Sequence, residues 1–567
     1  MKNLSRREFL KRSSQAAIAA GYGLLLKGCS SKKDFDWIIK NGMIVDGSGE
    51  DGFIGDIGIK DEIIREVGKI NSNKGQFICD ASGLVVSPGF VDPHSHADIE
   101  LLVNAKAESA VRQGVTTLIS GNCGSSPFPV SEAVYDEMKT ELNEQYRLEL
   151  DWMDIKGFLS QLEKQGISLN YATLVGHGTI RGKAMGYNDR PPSEEELETM
   201  KALVEENMRN GALGLSSGLE YSPGSYASVD ELIELSKIVA RLNGVYASHM
   251  RDEGDFLIES LQESFKVAKE TGVNLQISHL KVAYPRNWDK IDRVFLEIEK
   301  ASTGGIKVFC DRYPYIAGST GLSFYFPLWA RQGTTDDFIS RLKDHNLEAK
   351  FKSYLSEQEK KLGSWEKVVI SSVVSEKNKV FEGMSVLEGS QKTGKSPFQF
   401  MRDLLIEENN KVGMVTFMMK EENLKRILAH PLVGIGSDGS TLAPYGLLAK
   451  GKPHPRSYGT FPRALSKYVR EEKIVPLPEM IRKMTSAPAR KFNLTQRGLI
   501  KNGYFSDLVV FDFNKIKDRA TWTEPHQYSA GVEYVFTNGE MVIDRGEQTG
   551  NLPGKVLRKE IPDKPYF

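Results

Sequence analysis

The sequence predicts an α/β protein: a parallel (β/α)8 barrel flanked by a small β-sandwich that both chain ends build. Three observations carry this reading. Across residues 88–495 short apolar runs alternate with helical patterns, the order expected of a barrel of parallel strands. Several of those runs end in side chains that ligate metals: His94 and His96, His249, His279 and Asp438. The far ends of the chain instead carry strand patterns around Asn-Gly pairs, the signature of hairpins.

At 567 residues the chain exceeds one ordinary core, so a large domain with a smaller companion is expected. A hydrophobic fraction of 40%, a charged fraction of 26% and a net charge of -1 describe an ordinary globular protein. With so little net charge, nothing in the sequence argues for a nucleic-acid partner.

The chain opens on an address. Ser5-Arg6-Arg7-Glu8-Phe9-Leu10-Lys11 matches the twin-arginine export pattern. The mildly apolar stretch Ala16–Leu26 that follows is too short for a stable membrane span. Leu26-Lys27-Gly28-Cys29 resembles a bacterial lipoprotein cleavage site with Cys29 as the lipidated residue, although Lys27 stands where such sites carry a small one. Residues 1–30 are therefore expected to be a twin-arginine and lipoprotein signal. The product is expected in the periplasm or cell envelope, touching the membrane only through a lipid on Cys29. Only four cysteines are present, which argues against a disulfide framework in an exported chain of this length.

Asp36–Val45 reads as two short strands about Asn41-Gly42, and Asp56–Lys60 continues the pattern. Asp507–Asp512 and the Asn538-Gly539 hairpin repeat it near the other end. Neither segment has enough strands for a core of its own, so residues 34–87 and 496–567 are expected to pair into one composite β-sandwich. Inside the barrel, Thr116–Ser120, Ala172–Gly176 and Ile306–Cys310 read as strands. Ser193–Met208, Asp230–Leu242 and Asp255–Lys269 read as helices, each opening on a capping or acidic residue. The helical, charge-rich stretch 324–413 reads as an insertion.

His94 and His96 are separated by one residue after the apolar run Gly83–Asp92 and point to the same side, so they can grip one metal. An isolated His-x-His is more often a packing or surface pair. Here His249 and His279 also close apolar runs in a chain with only nine histidines. Cys123, in the turn Gly121-Asn122-Cys123-Gly124, follows the Leu118–Ser120 run. A lone cysteine is usually an inert buried thiol, but as a thiolate at a strand end it is a strong zinc ligand. Asp438, after Leu432–Ser437, reads either as an acid/base group or as a turn residue in Ser-Asp-Gly. His177 also follows a strand pattern and reads as a supporting residue.

The ordered set of these motifs resembles the N-acyl-D-amino-acid deacylases, the D-aminoacylase group of the amidohydrolase superfamily. The matching segments are Pro88–Asp98, Gly121–Gly124, Gly211–Leu219, Ser248–Arg251, Ile277–Lys281, Tyr313–Thr320, Gly436–Gly439 and His454–Phe461. The resemblance implies a TIM-like metal-dependent hydrolase barrel in which Cys123, His249 and His279 hold a tightly bound Zn2+, and His94 and His96 form a weaker second site. It implies Asp438 as the general acid/base, and Lys281 and Arg456 as clamps for the substrate α-carboxylate, with Tyr315, Tyr221 and Ser319 completing that set. Physical chemistry supports the arrangement: zinc lowers the pKa of coordinated water to about 7, and a carboxylate beside it relays the proton to an otherwise poor amine leaving group.

The expected reaction is zinc-dependent hydrolysis of a small-molecule N-acyl-D-amino acid. Relatives acting on acidic residues are expected to carry an arginine soon after the Ala-Gly-Ser-Thr segment. Here Gly321–Trp329 is apolar and aromatic, which points to a neutral or hydrophobic side chain, unless that stretch packs against the insertion instead. The competing readings are a cyclic amidohydrolase of the dihydroorotase or hydantoinase kind and a surface lipoprotein that binds without turnover.

Overall fold

The computed structural model describes residues 33–559. The expected signal, Cys29 included, lies outside the described residues. Eight strands form the barrel: β1 (Phe90–Asp92), β2 (Val115–Ser120), β3 (Asn170–Thr173, continued by Val175–Gly176), β4 (Gly214–Gly218), β5 (Val245–His249), β6 (Asn274–Ile277), β7 (Val308–Arg312) and β8 (Val433–Ile435). All neighbours pair in parallel. The ring closes between β8 and β1, where Asp438 N–H donates to the His94 carbonyl at 2.7 Å and Ser95 bridges Gly439.

The helices follow from local pattern. Val229–Arg241 starts where the Ser228 hydroxyl accepts from Glu231 N–H, and it buries Leu232, Leu235, Ser236 and Val239, spaced three and four apart, against the strands. Glu194–Arg209 opens on a full capping box between Ser193 and Glu196. Barrel strands are buried on both faces, so β2, β4 and β5 carry no exposed residue.

Both chain ends enter one nine-stranded sheet, joined where Val85–Pro88 pairs antiparallel with Leu508–Phe511. The sheet folds over a core shared by Ile39, Ile57 and Cys79 from one end and Leu508, Val510 and Phe536 from the other. Trp37 and Phe536, on strands that are not neighbours, bring their ring centroids to 5.5 Å.

One expectation here is corrected. Asn41-Gly42 is not a hairpin turn but a bulge inside a single ten-residue strand, Phe35–Ile44, with Asn41 at φ 60°. The buried Asp56 carboxylate on the neighbouring strand accepts from Asn41 N–H at 2.9 Å and from Lys40 Nζ at 2.6 Å, which satisfies the bulge and lets the strand continue. Asn538-Gly539 does form its hairpin, with positive φ at both residues.

The insertion is a subdomain with its own core. Ala317–Gly321, Val368–Ser372 and Gly413–Phe417 form an antiparallel sheet, packed with helices around Phe326, Phe351, Trp365, Met401 and Met414. Its sheet starts before the expected residue 324 and ends after 413, because the flanking runs pair with each other.

Candidate active site

Every metal-ligand candidate stands at the carboxyl end of a barrel strand, the face on which such barrels build their sites. His94 and His96 follow β1, Cys123 follows β2, His249 ends β5, His279 follows β6 and Asp438 follows β8. Cys123, His279 and Asp438 have φ values of 52°, 36° and 50°, a conformation that L residues adopt at a cost and that clusters where side chains must be aimed. Glycine makes the Cys123 turn possible: Gly124 has φ +76°, and a Cβ there would stand 2.5 Å from Gly218 N on β4.

The side chains converge. Cys123 Sγ lies 3.4 Å from His94 Nε2 and 3.5 Å from His279 Nε2, and His279 Nε2 lies 2.9 Å from His249 Nδ1. Asp438 Oδ1 is 3.0 Å from His96 Nε2 and 3.4 Å from His94 Nε2, while Oδ2 accepts from Arg456 at 2.6 Å. Two donor groups result, His94 with Cys123, His279 and Asp438, and His249 with Glu253 and His279; within each group the ligating atoms lie within 4.8 Å of one another. His279 belongs to both. Imidazole, thiolate and carboxylate are the donors zinc takes, so the residues fit that ion.

Electrostatics agree with a ligating thiolate. Burial pushes the Cys123 thiol up, but the imidazoles of His94, His249 and His279 outweigh it and hold the group well below its usual range. Burial likewise opposes the Asp438 carboxylate, and the Arg456 guanidinium followed by His94 and His96 holds it well below the usual carboxylate range. Asp438 is thus an ionised proton acceptor at the mouth of the barrel.

Behind the imidazoles stand carboxylates that the sequence reading did not single out. Asp311 Oδ1 accepts from His94 Nδ1 at 3.1 Å, Glu220 Oε2 lies 3.2 Å from His249 Nε2, and Glu253 Oε1 lies 3.0 Å from His279 Nδ1. Such partners fix which ring nitrogen faces a metal. For Asp311 a signal was present: it sits in the β7 run one residue past Cys310, at the same strand-end position that identified the histidines. Glu220 and Glu253 lie in loops after β4 and β5, where no period marks them.

The cluster opens into a cavity of about 790 Å³ whose lining includes His96, Cys123, His249, His279, Asp438 and Arg456. Of the substrate candidates, Arg456, Tyr221 and Ser319 lie on its wall. The Tyr221 ring packs edge-on against His249 at 4.9 Å, and the Ser319 hydroxyl donates to the Met414 carbonyl at 2.9 Å.

Lys281 and Tyr315 are placed elsewhere. The buried Lys281 Nζ donates to Glu253 at 2.5 Å and lies 2.7 Å from His279 Nδ1, behind the imidazole. Tyr315 packs against His454 and Trp522 beneath Arg463, its hydroxyl 3.5 Å from Asp518.

Gly321–Trp329 does not line the cavity either. Leu322, Tyr325 and Phe326 are buried in the insertion core, and Trp329 stacks on Phe351 at 5.2 Å. The reading of this stretch as a side-chain pocket is therefore replaced by the packing one. The cavity is lined instead by the helix Glu132–Tyr146, through Val134, Glu137, Met138 and Glu141, and by Lys183 and Tyr187.

Three further histidines are structural. His177 pairs with the buried Glu231 at 2.8 Å, His430 stacks on Phe295, and His454 Nε2 donates to the Ala317 carbonyl, tying the insertion to the Arg456 loop.

Comparison with known proteins places this geometry. The Amidohydrolase family profile matches residues 78–312 and 392–543. A D-aminoacylase of Alcaligenes xylosoxydans xylosoxydans is 34% identical over 94% of this chain and 99% of its own length. An N-acyl-D-glutamate deacylase of the same organism is 31% identical over 94% of this chain and 99% of its own. The crystal structure of N-acyl-D-glutamate deacylase from Bordetella bronchiseptica, complexed with zinc and a phosphonate mimic of the tetrahedral intermediate, superposes with a TM-score of 0.79. It shares 29% identity, over 93% of this chain and all of that one.

Proposed function

Because the chain belongs to the amidohydrolase family and, within it, groups with the N-acyl-D-amino-acid deacylases, we propose that it hydrolyses the amide bond of linear N-acyl-D-amino acids, with zinc as cofactor. The products are a carboxylic acid and a free D-amino acid. One observation carries the reading: the Cys123 sulfur among the imidazoles of His94, His249 and His279, with Asp438 facing them and Arg456 on the wall of the same cavity.

When bound, zinc supplies a Lewis acid for the scissile carbonyl and water of lowered pKa. Cys123, His249 and His279 are proposed to hold it tightly, with His94 and His96 as a weaker second position. Asp438 takes the proton of the attacking water and returns it to the departing nitrogen, so the amide leaves as an amine. Arg456 spends one nitrogen on Asp438 and has further guanidinium donors for the substrate α-carboxylate. Burial and the neighbouring Glu220 keep the Tyr221 phenol protonated, a hydrogen-bond donor on the wall.

A neutral or hydrophobic D-side chain is proposed on the cavity wall itself, where Val134 and Met138 are apolar and the carboxylates of Glu137 and Glu141 disfavour an acidic side chain. Export by the twin-arginine route and anchoring through Cys29, to the periplasm or cell envelope, are proposed on residues 5–11 and 26–31.

The test is a panel of N-acetyl-D and N-acetyl-L amino acids assayed with metal-stripped and zinc-restored protein. Turnover of D substrates that disappears on stripping and returns with zinc is expected. Equal turnover of both enantiomers, or activity indifferent to metal, contradicts the proposal. Faster hydrolysis of N-acetyl-D-glutamate than of N-acetyl-D-methionine contradicts the side-chain assignment alone.

A further inference from the structure

We propose that Asp311 is the positioning residue that holds both halves of the metal site in one frame. It is fully buried at the end of β7 and lies off the cavity wall, so it does not meet substrate. Its Oδ1 accepts two hydrogen bonds, from His94 Nδ1 at 3.1 Å and from the His279 backbone N–H at 2.9 Å. Its Oδ2 accepts from Gln276 Nε2 on β6 at 2.7 Å. One carboxylate therefore grips the imidazole of the His94 and His96 pair and the backbone of the turn that presents His279.

Each contact has a consequence for ligation. With Nδ1–H donated to a carboxylate, the lone pair of His94 is on Nε2, the atom that faces Cys123 Sγ and Asp438. His279 stands at φ 36°, a conformation that persists only where the surroundings over-determine it. The bond from its N–H to Asp311 is one such constraint, fixed in turn by Gln276.

The neighbouring strand is shaped for this carboxylate. A Cβ at Gly436, just past β8, would lie 3.1 Å from Asp311 Oδ1 and 3.0 Å from the His94 Cβ, so glycine there leaves the room the pair occupies. His94, His279 and Gln276 are all buried, and nothing mobile mediates the contacts.

This inference rests on the metal-dependent reading above, and its test reads metal binding without substrate. Full-length Asp311→Ala and Asp311→Asn are compared with the unmodified protein by chelator competition for zinc and by the absorption spectrum after cobalt substitution, with thermal unfolding as the fold control. Ala removes both acceptor oxygens and with them all three hydrogen bonds. Asn keeps the shape but loses the charge that makes His94 a better ligand, and the otherwise unpaired Gln276 Oε1 can turn to accept from the new amide.

Zinc affinity is expected to fall about 10- to 100-fold in Ala and about tenfold in Asn, with an altered cobalt–thiolate spectrum in both. A lowered unfolding temperature with unchanged affinity and spectrum overturns the proposal. So does a loss confined to the weaker position with the thiolate spectrum intact. If Asp311→Ala does not fold, Asp311→Asn decides alone: unchanged affinity refutes the role. A protein whose zinc depends on Asp311 but which hydrolyses no N-acyl-D-amino acid keeps this inference and refutes the deacylase reading.

Discussion

The rim of the barrel and the insertion both border the cavity, yet only one of them has its chemistry written along the chain. At the rim, each ligand follows a short apolar run, because a parallel strand buried on both faces must end where the layer ends, and the next side chains are delivered to the carboxyl face. In the insertion, Gly321–Trp329 carries side chains as suggestive as any ligand, yet Leu322, Tyr325 and Phe326 turn into the insertion core and the half-exposed Trp329 stacks on Phe351. Position relative to a strand end constrains where a side chain points; composition of a loop does not.

At the rim, Asp438 is the residue whose loss costs most. Asp438→Asn is expected to retain zinc and lose about 10²- to 10⁴-fold in kcat, the range of a general acid/base, measured by elemental analysis and steady-state kinetics on one preparation. Loss of zinc together with activity would assign Asp438 to ligation instead.

Arg456→Gln has the next largest effect. A charge-assisted bond contributes about 1.5–3 kcal/mol, so kcat/KM on N-acetyl-D substrates is expected to fall roughly ten- to hundredfold. Arg456 is the largest influence lowering the Asp438 pKa. Without it the carboxyl protonates at higher pH, and because the ionised form is the base, the acid limb of the kcat/KM profile must move to higher pH. A limb that stays in place would separate Arg456 from Asp438.

Trp329→Ala is the smallest. The ring is 42% exposed and stacks on Phe351, an interaction of about 0.5–1.5 kcal/mol. A modest fall in Tm with KM unchanged for N-acetyl-D-phenylalanine and N-acetyl-D-methionine is expected. A rise in KM would return this stretch to the substrate wall.

The same contrast explains what the sequence made legible. The eight-stranded barrel, the pairing of both chain ends in one sheet, and the convergence of His94, His249, His279, Cys123 and Asp438 follow from runs, turns and ligand types readable one segment at a time. Asn41-Gly42 misled, because whether such a pair turns or bulges depends on Asp56 on the next strand. Lys281 and Tyr315 were placed by resemblance. Their observed partners, Glu253 and Asp518, lie 28 and 203 residues away, separations at which a motif carries no information about direction. Glu220 and Glu253 escaped notice because a supporting carboxylate needs only proximity to an imidazole, which the fold supplies and the chain does not spell out.

The claim beneath all of this is that a sulfur from the turn after β2 and imidazoles from β5 and β6 meet on one metal ion. X-ray absorption at the zinc edge of the purified, zinc-loaded protein tests it directly. The account predicts one sulfur neighbour at about 2.3 Å with nitrogen or oxygen neighbours at about 2.0–2.1 Å, the sulfur signal vanishing in Cys123→Ala. A zinc shell of nitrogen and oxygen alone in the unmodified protein would contradict it.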